Sequence, residues 1–179
     1  MNHSTDRYSS TAKALHWLMA LGLFGALGVG FYMTGLPLSP QKLQIYSWHK
    51  WAGVSLFLLV LLRFAWRLGH RPPAPVPMPA WQRLAAEGVH HLLYLLMFAI
   101  PLTGWLMSSA KGFQTVYFGV LPIPDLIGKD PDLGNLLKTV HVSLNFLLLA
   151  LVAAHAGAAL KHHFLDRDAT LRRMLPGRS

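Results

Sequence analysis

The sequence predicts an all-α integral membrane protein, a four-helix bundle with both termini on the cytoplasmic side. Of the 179 residues, 53% are hydrophobic and only 13% are charged, whereas about 25% of the residues in a soluble domain are charged. The apolar residues gather into four runs, each about as long as the 20 residues that a helix needs to cross the hydrocarbon core of a bilayer. Lysine and arginine are unevenly distributed around these runs, which indicates an orientation.

The predicted spans lie within a single membrane domain of residues 1–179, at about 14–34, 48–66, 88–109 and 139–160. The first span has no charged residue, and the third contains Pro101, which membrane helices tolerate because neighbouring groups satisfy the freed backbone. The proline-rich segment 71–79 is predicted to be a connector outside the bilayer, because proline removes backbone donors and favours extended structure. The polar segment 1–13 is expected to be retained, since the apolar run after it is longer than a signal-peptide core.

The orientation is predicted from the lysines and arginines near the span ends. Eleven of them fall on one side of the predicted bundle: Arg7, Lys13, Arg63, Arg67, Arg71, Arg83, Lys161, Arg167, Arg172, Arg173 and Arg178. Five fall on the other side: Lys42, Lys50, Lys111, Lys129 and Lys138. Because the positive side of a membrane protein faces the cytoplasm, both termini are expected there.

Composition also excludes several kinds of function. The chain has no cysteine, so it cannot form thiolate-bound zinc, an iron–sulfur centre or the covalent attachment of a c-type haem. The net charge is +9, but the basic residues flank apolar runs and form no interleaved basic and aromatic surface. We therefore expect a partner in the lipid bilayer and no nucleic acid.

Histidines inside the spans are the main candidates for a functional site, because a polar ring in a membrane is costly. Among ten histidines, four stand out: His16, His49, His141 and His155. The last two are 14 residues apart, which separates them by about 21 Å along one helix and leaves them within roughly 40° of the same direction. With helices that alternate in direction, His16 matches the depth of His155, and His49 matches the depth of His141.

Two depth-matched histidine pairs predict two sites in which facing helices hold haem iron through imidazole. Small residues near them, including Gly22, Gly25, Gly28 and Gly53, leave room for a flat macrocycle. Small residues also serve close helix packing, and a lone histidine can simply bond a neighbour. A zinc or proton-transport site is less suitable, because ligands two to four turns apart cannot converge on one ion. A haem-free transporter remains an alternative.

The ordered motifs resemble those of the bacterial cytochrome b561 family over nearly the whole chain. They are Leu15-His16-Trp17-Leu18, His49-Lys50-Trp51-Ala52-Gly53, Pro101-Leu102-Thr103-Gly104-Trp105, Lys138-Thr139-Val140-His141 and His155-Ala156-Gly157. The resemblance implies a multi-pass protein of the bacterial inner membrane with two haem b groups. The pair His16 and His155 would bind the cytoplasmic-side haem, and the pair His49 and His141 the outer one.

One branch of that family is similar to a superoxide oxidase, so the resemblance implies oxidation of superoxide at the outer face and reduction of ubiquinone. Related di-haem proteins are electron-relay subunits of hydrogenases and dehydrogenases. A redox partner protein is therefore the main alternative to a diffusible donor.

Further candidates surround the two predicted sites. Lysines near the outer haem could steer an anion by focusing positive charge, although lysines also anchor helix ends: Lys50, Lys111 and Lys138. Histidines near the inner haem could deliver protons or form the quinone site, although they could also simply face water: His90 and His162, with His91 and His163 as weaker candidates. Two arginines could bind haem propionates, or act only as topology signals: Arg63 and Arg67.

Overall fold

The computed structural model describes residues 7–176, and the predictions for residues 1–6 and for Arg178 lie outside them. Four helices and one short hairpin make up the regular structure. The helices are α1 (Ser10–Thr34), α2 (Pro40–Gly69), α3 (Ala80–Ala110) and α4 (Pro131–Phe164). All four are long and apolar enough to cross a membrane, which confirms the predicted four-helix membrane bundle.

The packing of the bundle matches a lipid environment. Helix α1 packs along α2, α3 packs along α4, and α2 joins the two pairs. Leu96, Ile100 and Leu148 form a small buried cluster at the centre of the bundle, and few other large apolar side chains of the described residues are fully buried. Large apolar side chains such as Leu21 remain exposed along the outer faces of the helices. A face of this size would be unfavourable in water, so it is the surface that contacts lipid tails.

All four helices begin before the predicted spans, and α2, α3 and α4 each begin eight residues earlier. In α2 and α4 a strong start signal lies outside the apolar run. Ser39 accepts a hydrogen bond from the Lys42 amide at 3.2 Å and precedes Pro40. Asp130 accepts from the Asp132 and Leu133 amides and precedes Pro131. A polar N-cap followed by proline at the first helical position fixes a helix start wherever it occurs. The segments 40–47 and 131–138, predicted as connectors, are therefore helical.

A hairpin between α3 and α4 is absent from the sequence prediction. Strands β1 (Thr115–Tyr117) and β2 (Leu121–Ile123) pair antiparallel, with Thr115 opposite Ile123. The turn holds Phe118 at φ 51° and Gly119 at φ 74°, a conformation that is unusual for a bulky residue. Strands this short, one of which contains proline, show no clear alternation of polar and apolar residues, so the sequence does not predict them.

Tryptophans attach the hairpin and the C-terminal segment to the bundle. Trp51 Nε1 donates to the Val116 carbonyl at 2.7 Å, and Trp105 Nε1 donates to the Pro124 carbonyl at 3.0 Å. At the opposite end, Trp17 Nε1 donates to the Met174 carbonyl at 2.9 Å. The hairpin therefore covers the end where α3 ends, and the C-terminal segment covers the end where α1 begins.

Candidate haem sites between the four helices

The structure brings the four predicted histidines together in the two expected pairs. The ring centroids of His16 and His155 are 6.2 Å apart, with an interplanar angle of 68°. The ring centroids of His49 and His141 are 6.4 Å apart, with an angle of 83°. The first pair joins α1 to α4, and the second joins α2 to α4. All four residues are half-buried, and the pair His49 and His141 faces a cavity between helices.

Both centroid distances leave room for one metal ion between the two imidazole rings. A metal–imidazole bond is about 2 Å long, and the ring centre lies roughly 1 Å beyond the nitrogen, so two imidazoles that held one iron between them would have centroids about 6 Å apart. Rings in direct van der Waals contact could lie closer together. The two pairs are therefore spaced as a bis-histidine haem requires, and a zinc site, which needs more converging ligands, has no equivalent support at either pair.

The candidate ligand His141 is held by hydrogen bonds at its Nδ1 atom. This nitrogen lies 3.0 Å from the Ile100 carbonyl and 3.1 Å from the Thr103 hydroxyl. An Nδ1–H that donates to the carbonyl fixes the tautomer in which Nε2 carries a lone pair for the metal. The segment around Pro101 thus supplies the carbonyl group that orients the His141 ring. The sequence does not predict this role, although Pro101-Leu102-Thr103-Gly104 is part of the motif that carries the family resemblance.

Two glycines lie directly against the rings of the outer pair. A Cβ on Gly30 would lie 3.2 Å from His49 Cε1, and a Cβ on Gly104 would lie 3.2 Å from His141 Cε1. A side chain at either position would press on the ring, so both glycines allow helix backbone to approach a ligand closely. Of the glycines predicted to make room, Gly53 meets open space, whereas Gly22 packs against Leu56. Gly22 therefore serves helix packing.

The three predicted steering lysines share one cavity with the outer histidine pair. This cavity has a volume of about 410 Å³ and is lined by His49, His141, Lys50, Lys111 and Lys138, which is within the size range of ligand sites. Thr115 and Ile123 of the hairpin form part of its wall. The structure therefore places cationic side chains and candidate ligands around one space.

Each lysine of the cavity is held differently. Lys50 Nζ donates to the Phe113 carbonyl at 2.8 Å, and Lys111 Nζ donates to Asn135 Oδ1 at 3.3 Å. Lys138 is exposed. Asp125 is close enough to Lys50 to interact with it electrostatically. The hydrogen-bond partners of Lys50 and Lys111 are neutral, whereas the carboxylate of Asp125 offsets part of the charge of Lys50.

The inner pair lies beside a cation. The guanidinium of Arg63 acts electrostatically on both His16 and His155. It donates to the Tyr94 hydroxyl and to the Ala12 carbonyl, each at 3.1 Å. Within residues 7–176 the only salt bridges lie between residues 161 and 168, so Arg63 pairs with no carboxylate there. An arginine without an acidic partner is suited to a haem propionate.

The other predicted residues differ in how close they lie to the pair His16 and His155. His90 lies close to the inner pair, with its ring 5.2 Å from that of His155. His162 bonds Asp168 at 2.7 Å and Asp166 at 3.1 Å, so it is partnered by carboxylates. Arg67 is exposed and interacts electrostatically with His90. His91 is exposed at the surface of α3, and His163 Nδ1 is buried with no hydrogen-bond partner among the described residues.

Comparisons with known proteins identify relatives of this chain. A family model described as prokaryotic cytochrome b561 matches residues 7–177. The chain is 34% identical to "Cytochrome b561 homolog 2" of Escherichia coli over 175 residues, which cover 97% of this chain and 93% of the relative. It is 33% identical to "Cytochrome b561 homolog 1" of the same organism, with coverage of 97% and 99%.

A third relative has a name that states an activity. The chain is 28% identical to "Probable superoxide oxidase CybB" of Yersinia pestis over 171 residues, which cover 95% of this chain and 96% of the relative. The family match extends over nearly the whole chain, and the relatives are of similar length. This family consists of haem b proteins that transfer electrons in membranes. The chain belongs to the prokaryotic cytochrome b561 family.

Proposed function

We propose that this protein holds two haem b groups in the bacterial inner membrane, oxidises superoxide at its outer face and reduces ubiquinone. The observation that carries the proposal is the shared cavity: Lys50, Lys111 and Lys138 line the space that His49 and His141 face. The similarity to a probable superoxide oxidase supports the same substrate. Haem, when bound, supplies one-electron oxidation and reduction.

The cavity lysines suit a small anion. Positive charge at a mouth with low-dielectric walls focuses field lines and raises the encounter rate of an anionic substrate. Most of the surrounding residues are apolar, such as Phe57, Leu58 and Val142, so screening by water is reduced there. Superoxide carries one negative charge, and its uncharged product, dioxygen, is no longer attracted by the lysines. The positive charge of the cavity lysines therefore favours entry of the anionic substrate and does not hold back the uncharged product.

In this proposal, electrons pass from the pair His49 and His141 to the pair His16 and His155. His141 and His155 are 14 residues apart on the continuous helix α4, which separates the pairs by about 21 Å along the axis. Two superoxide anions give up one electron each and leave as dioxygen. The quinone takes up these two electrons and two protons and leaves as quinol.

The inner end has groups that suit quinone chemistry. His90, next to the inner pair, can carry a proton. The Trp66 Nε1 donor is buried without a hydrogen-bond partner among residues 7–176, so it is available to a carbonyl oxygen of a ligand. Trp66 lies in the last turns of α2, at the end of the bundle where α1 begins. These features support reduction of quinone at the end opposite the lysines.

An assay in proteoliposomes tests the proposal. Superoxide generated enzymatically outside vesicles that contain the protein and ubiquinone should produce ubiquinol, and the His141→Ala variant should abolish that production. Superoxide dismutase in the outer solution should also abolish it. If quinol formed at the same rate with dismutase present, or formed only after a reduced hydrogenase or dehydrogenase partner was added, the electron-relay alternative would replace the proposal.

A further inference from the structure

The hairpin between α3 and α4 has a composition that is unusual for a segment outside the membrane. Residues 112–124 contain no charged side chain, although Lys111 and Asp125 flank them. Apolar side chains at the tip point outward: Val120 is 83% exposed, Phe118 60% and Leu121 57%. Loops that face water are normally polar, so this surface requires a partner.

The position of the hairpin along α2 indicates its depth. Trp51 donates to the Val116 carbonyl, and the Ser55 hydroxyl hydrogen-bonds the Tyr117 hydroxyl at 2.9 Å. Ser55 lies six residues beyond His49, which is about 9 Å further along the helix. Trp51 and Ser55 lie near the middle of α2 (Pro40–Gly69), so the hairpin lies beside this apolar helix and does not project away from it.

The surface of α2 next to the hairpin already faces lipid. Trp51, Ser55, Leu58 and Leu62 follow one another at spacings of four, three and four residues, so they lie on one side of the helix. The hairpin covers the first two positions, whereas Leu58 and Leu62 are more than half exposed. The outer surface of the hairpin therefore continues the lipid-facing surface of α2.

We propose that the tip of this hairpin, residues 116–121, inserts into the interface of the outer lipid leaflet and anchors there. The aromatic residues match this position, since tryptophan and tyrosine are enriched at the level of the headgroups. Phe118 packs on Trp51, with ring centroids 5.2 Å apart, which helps to hold its positive φ. Thr115 and Ile123 at the base of the hairpin line the outer cavity, so the lipid anchor steadies one wall of that cavity.

Because the sequence contains no cysteine, a single introduced cysteine can be labelled at one known position. A nitroxide spin label is attached to the Val120→Cys variant in vesicles of phosphatidylethanolamine and phosphatidylglycerol, and its collisions with oxygen and with a water-soluble nickel chelate are measured. The matched control is Gly128→Cys, in the same connection, where an added Cβ meets nothing within 4 Å. Leu121→Cys provides a second tip position, and circular dichroism checks that each variant is folded.

Insertion predicts that labels at 120 and 121 collide several-fold more with oxygen than with the chelate, and that the label at 128 shows the reverse preference. A chelate accessibility at 120 and 121 equal to that at 128 would place the tip in water and overturn the proposal. Protection from both reagents, together with spin–spin broadening between chains, would show a second copy of the protein on this surface and would overturn it as well. None of these outcomes depends on superoxide or quinone.

Discussion

A Cβ atom on Gly104 would lie 3.2 Å from the Cε1 atom of His141. This close approach between α3 and α4 occurs one helical turn beyond Ile100, whose carbonyl accepts from the same ring. The ring is therefore enclosed by α3 on two sides, by a hydrogen bond at Nδ1 and by bare backbone at Cε1. Its remaining nitrogen is directed to the cleft by this enclosure.

Substitution at Gly104 should consequently affect the outer haem alone. Gly104→Leu is expected to displace the His141 ring and remove about one haem of two, and Gly104→Ala should remove only part of it, because a methyl group requires a smaller shift. Haem is counted by the pyridine haemochrome assay against protein concentration. The control is Gly88→Ala on the same helix, where a Cβ meets nothing within 4 Å. Full haem content in Gly104→Leu would show that the ring has room to move.

The paired histidines predict two haems per chain that can be removed separately. His16→Ala and His155→Ala should each lose the same haem, and His49→Ala and His141→Ala should each lose the other. Because a single imidazole does not replace the bis-histidine coordination, the reduced spectrum of each variant should fall to about half of its absorbance. Reduced-minus-oxidised spectra and redox titrations check this grouping. A ratio near one haem per wild-type chain, or variants that group differently, would contradict it.

The eleven-to-five distribution of lysine and arginine predicts the topology. After Ser179, a fused green fluorescent protein should be fluorescent and a fused alkaline phosphatase inactive, because this position is expected in the cytoplasm. Near Gly128, the phosphatase should be active and the fluorescent protein dark, because this position is expected outside. The measurement is the activity ratio of alkaline phosphatase to green fluorescent protein at both positions. An exported C-terminus would reverse the assignment of the lysine-lined cavity to the outer face.

The C-terminal segment should respond to acid through Asp168. Burial alone would raise the pKa of Asp168, but hydrogen bonds from Thr170 and His162 outweigh it and hold this pKa below its ordinary value. A carboxylate of this kind contributes stability that is present above about pH 4 and is lost as the pH falls through its depressed pKa. The Asp168→Asn variant should lack the contribution at every pH.

Limited trypsin digestion of detergent-solubilised protein measures this effect near pH 8. Cleavage at Arg172 should be several-fold faster in Asp168→Asn than in the wild type, because release of the segment exposes its backbone. Asp132→Asn, at the opposite end of α4, serves as the control and should match the wild type. Equal cleavage rates for Asp168→Asn and wild type would show that the segment is held by other contacts, such as the bond between Trp17 and Met174.

The sequence predicts the helices and the histidine pairs because both depend on regular spacing. The apolar runs follow from the thickness of the bilayer, and the juxtaposition of His141 with His49 follows from helix rise and antiparallel packing. The structure confirms the four-helix bundle and brings these two rings to 6.4 Å. Their role as haem ligands stays a prediction that the variants above test.

Other features depend on contacts that spacing alone does not reveal. The hydrogen bond from His141 to Ile100 joins residues 41 positions apart, and nothing in the composition near Ile100 identifies its carbonyl as the acceptor. Gly30 and Gly104 cannot be distinguished by sequence from glycines such as Gly22, which serves helix packing. The Ser39 and Asp130 caps could have been recognised from the proline that follows each of them.

The central claim is that superoxide reduces the outer haem directly, and stopped-flow mixing of the oxidised protein with superoxide tests it. Reduction should approach the diffusional ceiling of roughly 10⁸–10⁹ M⁻¹s⁻¹ and slow as salt rises, since screening acts over about 8 Å at physiological ionic strength. Lys111→Gln and Lys138→Gln should slow it several-fold with unchanged haem content, and Lys129→Gln, which does not line the cavity, should not. Slow reduction that ignores both salt and these lysines would contradict the account.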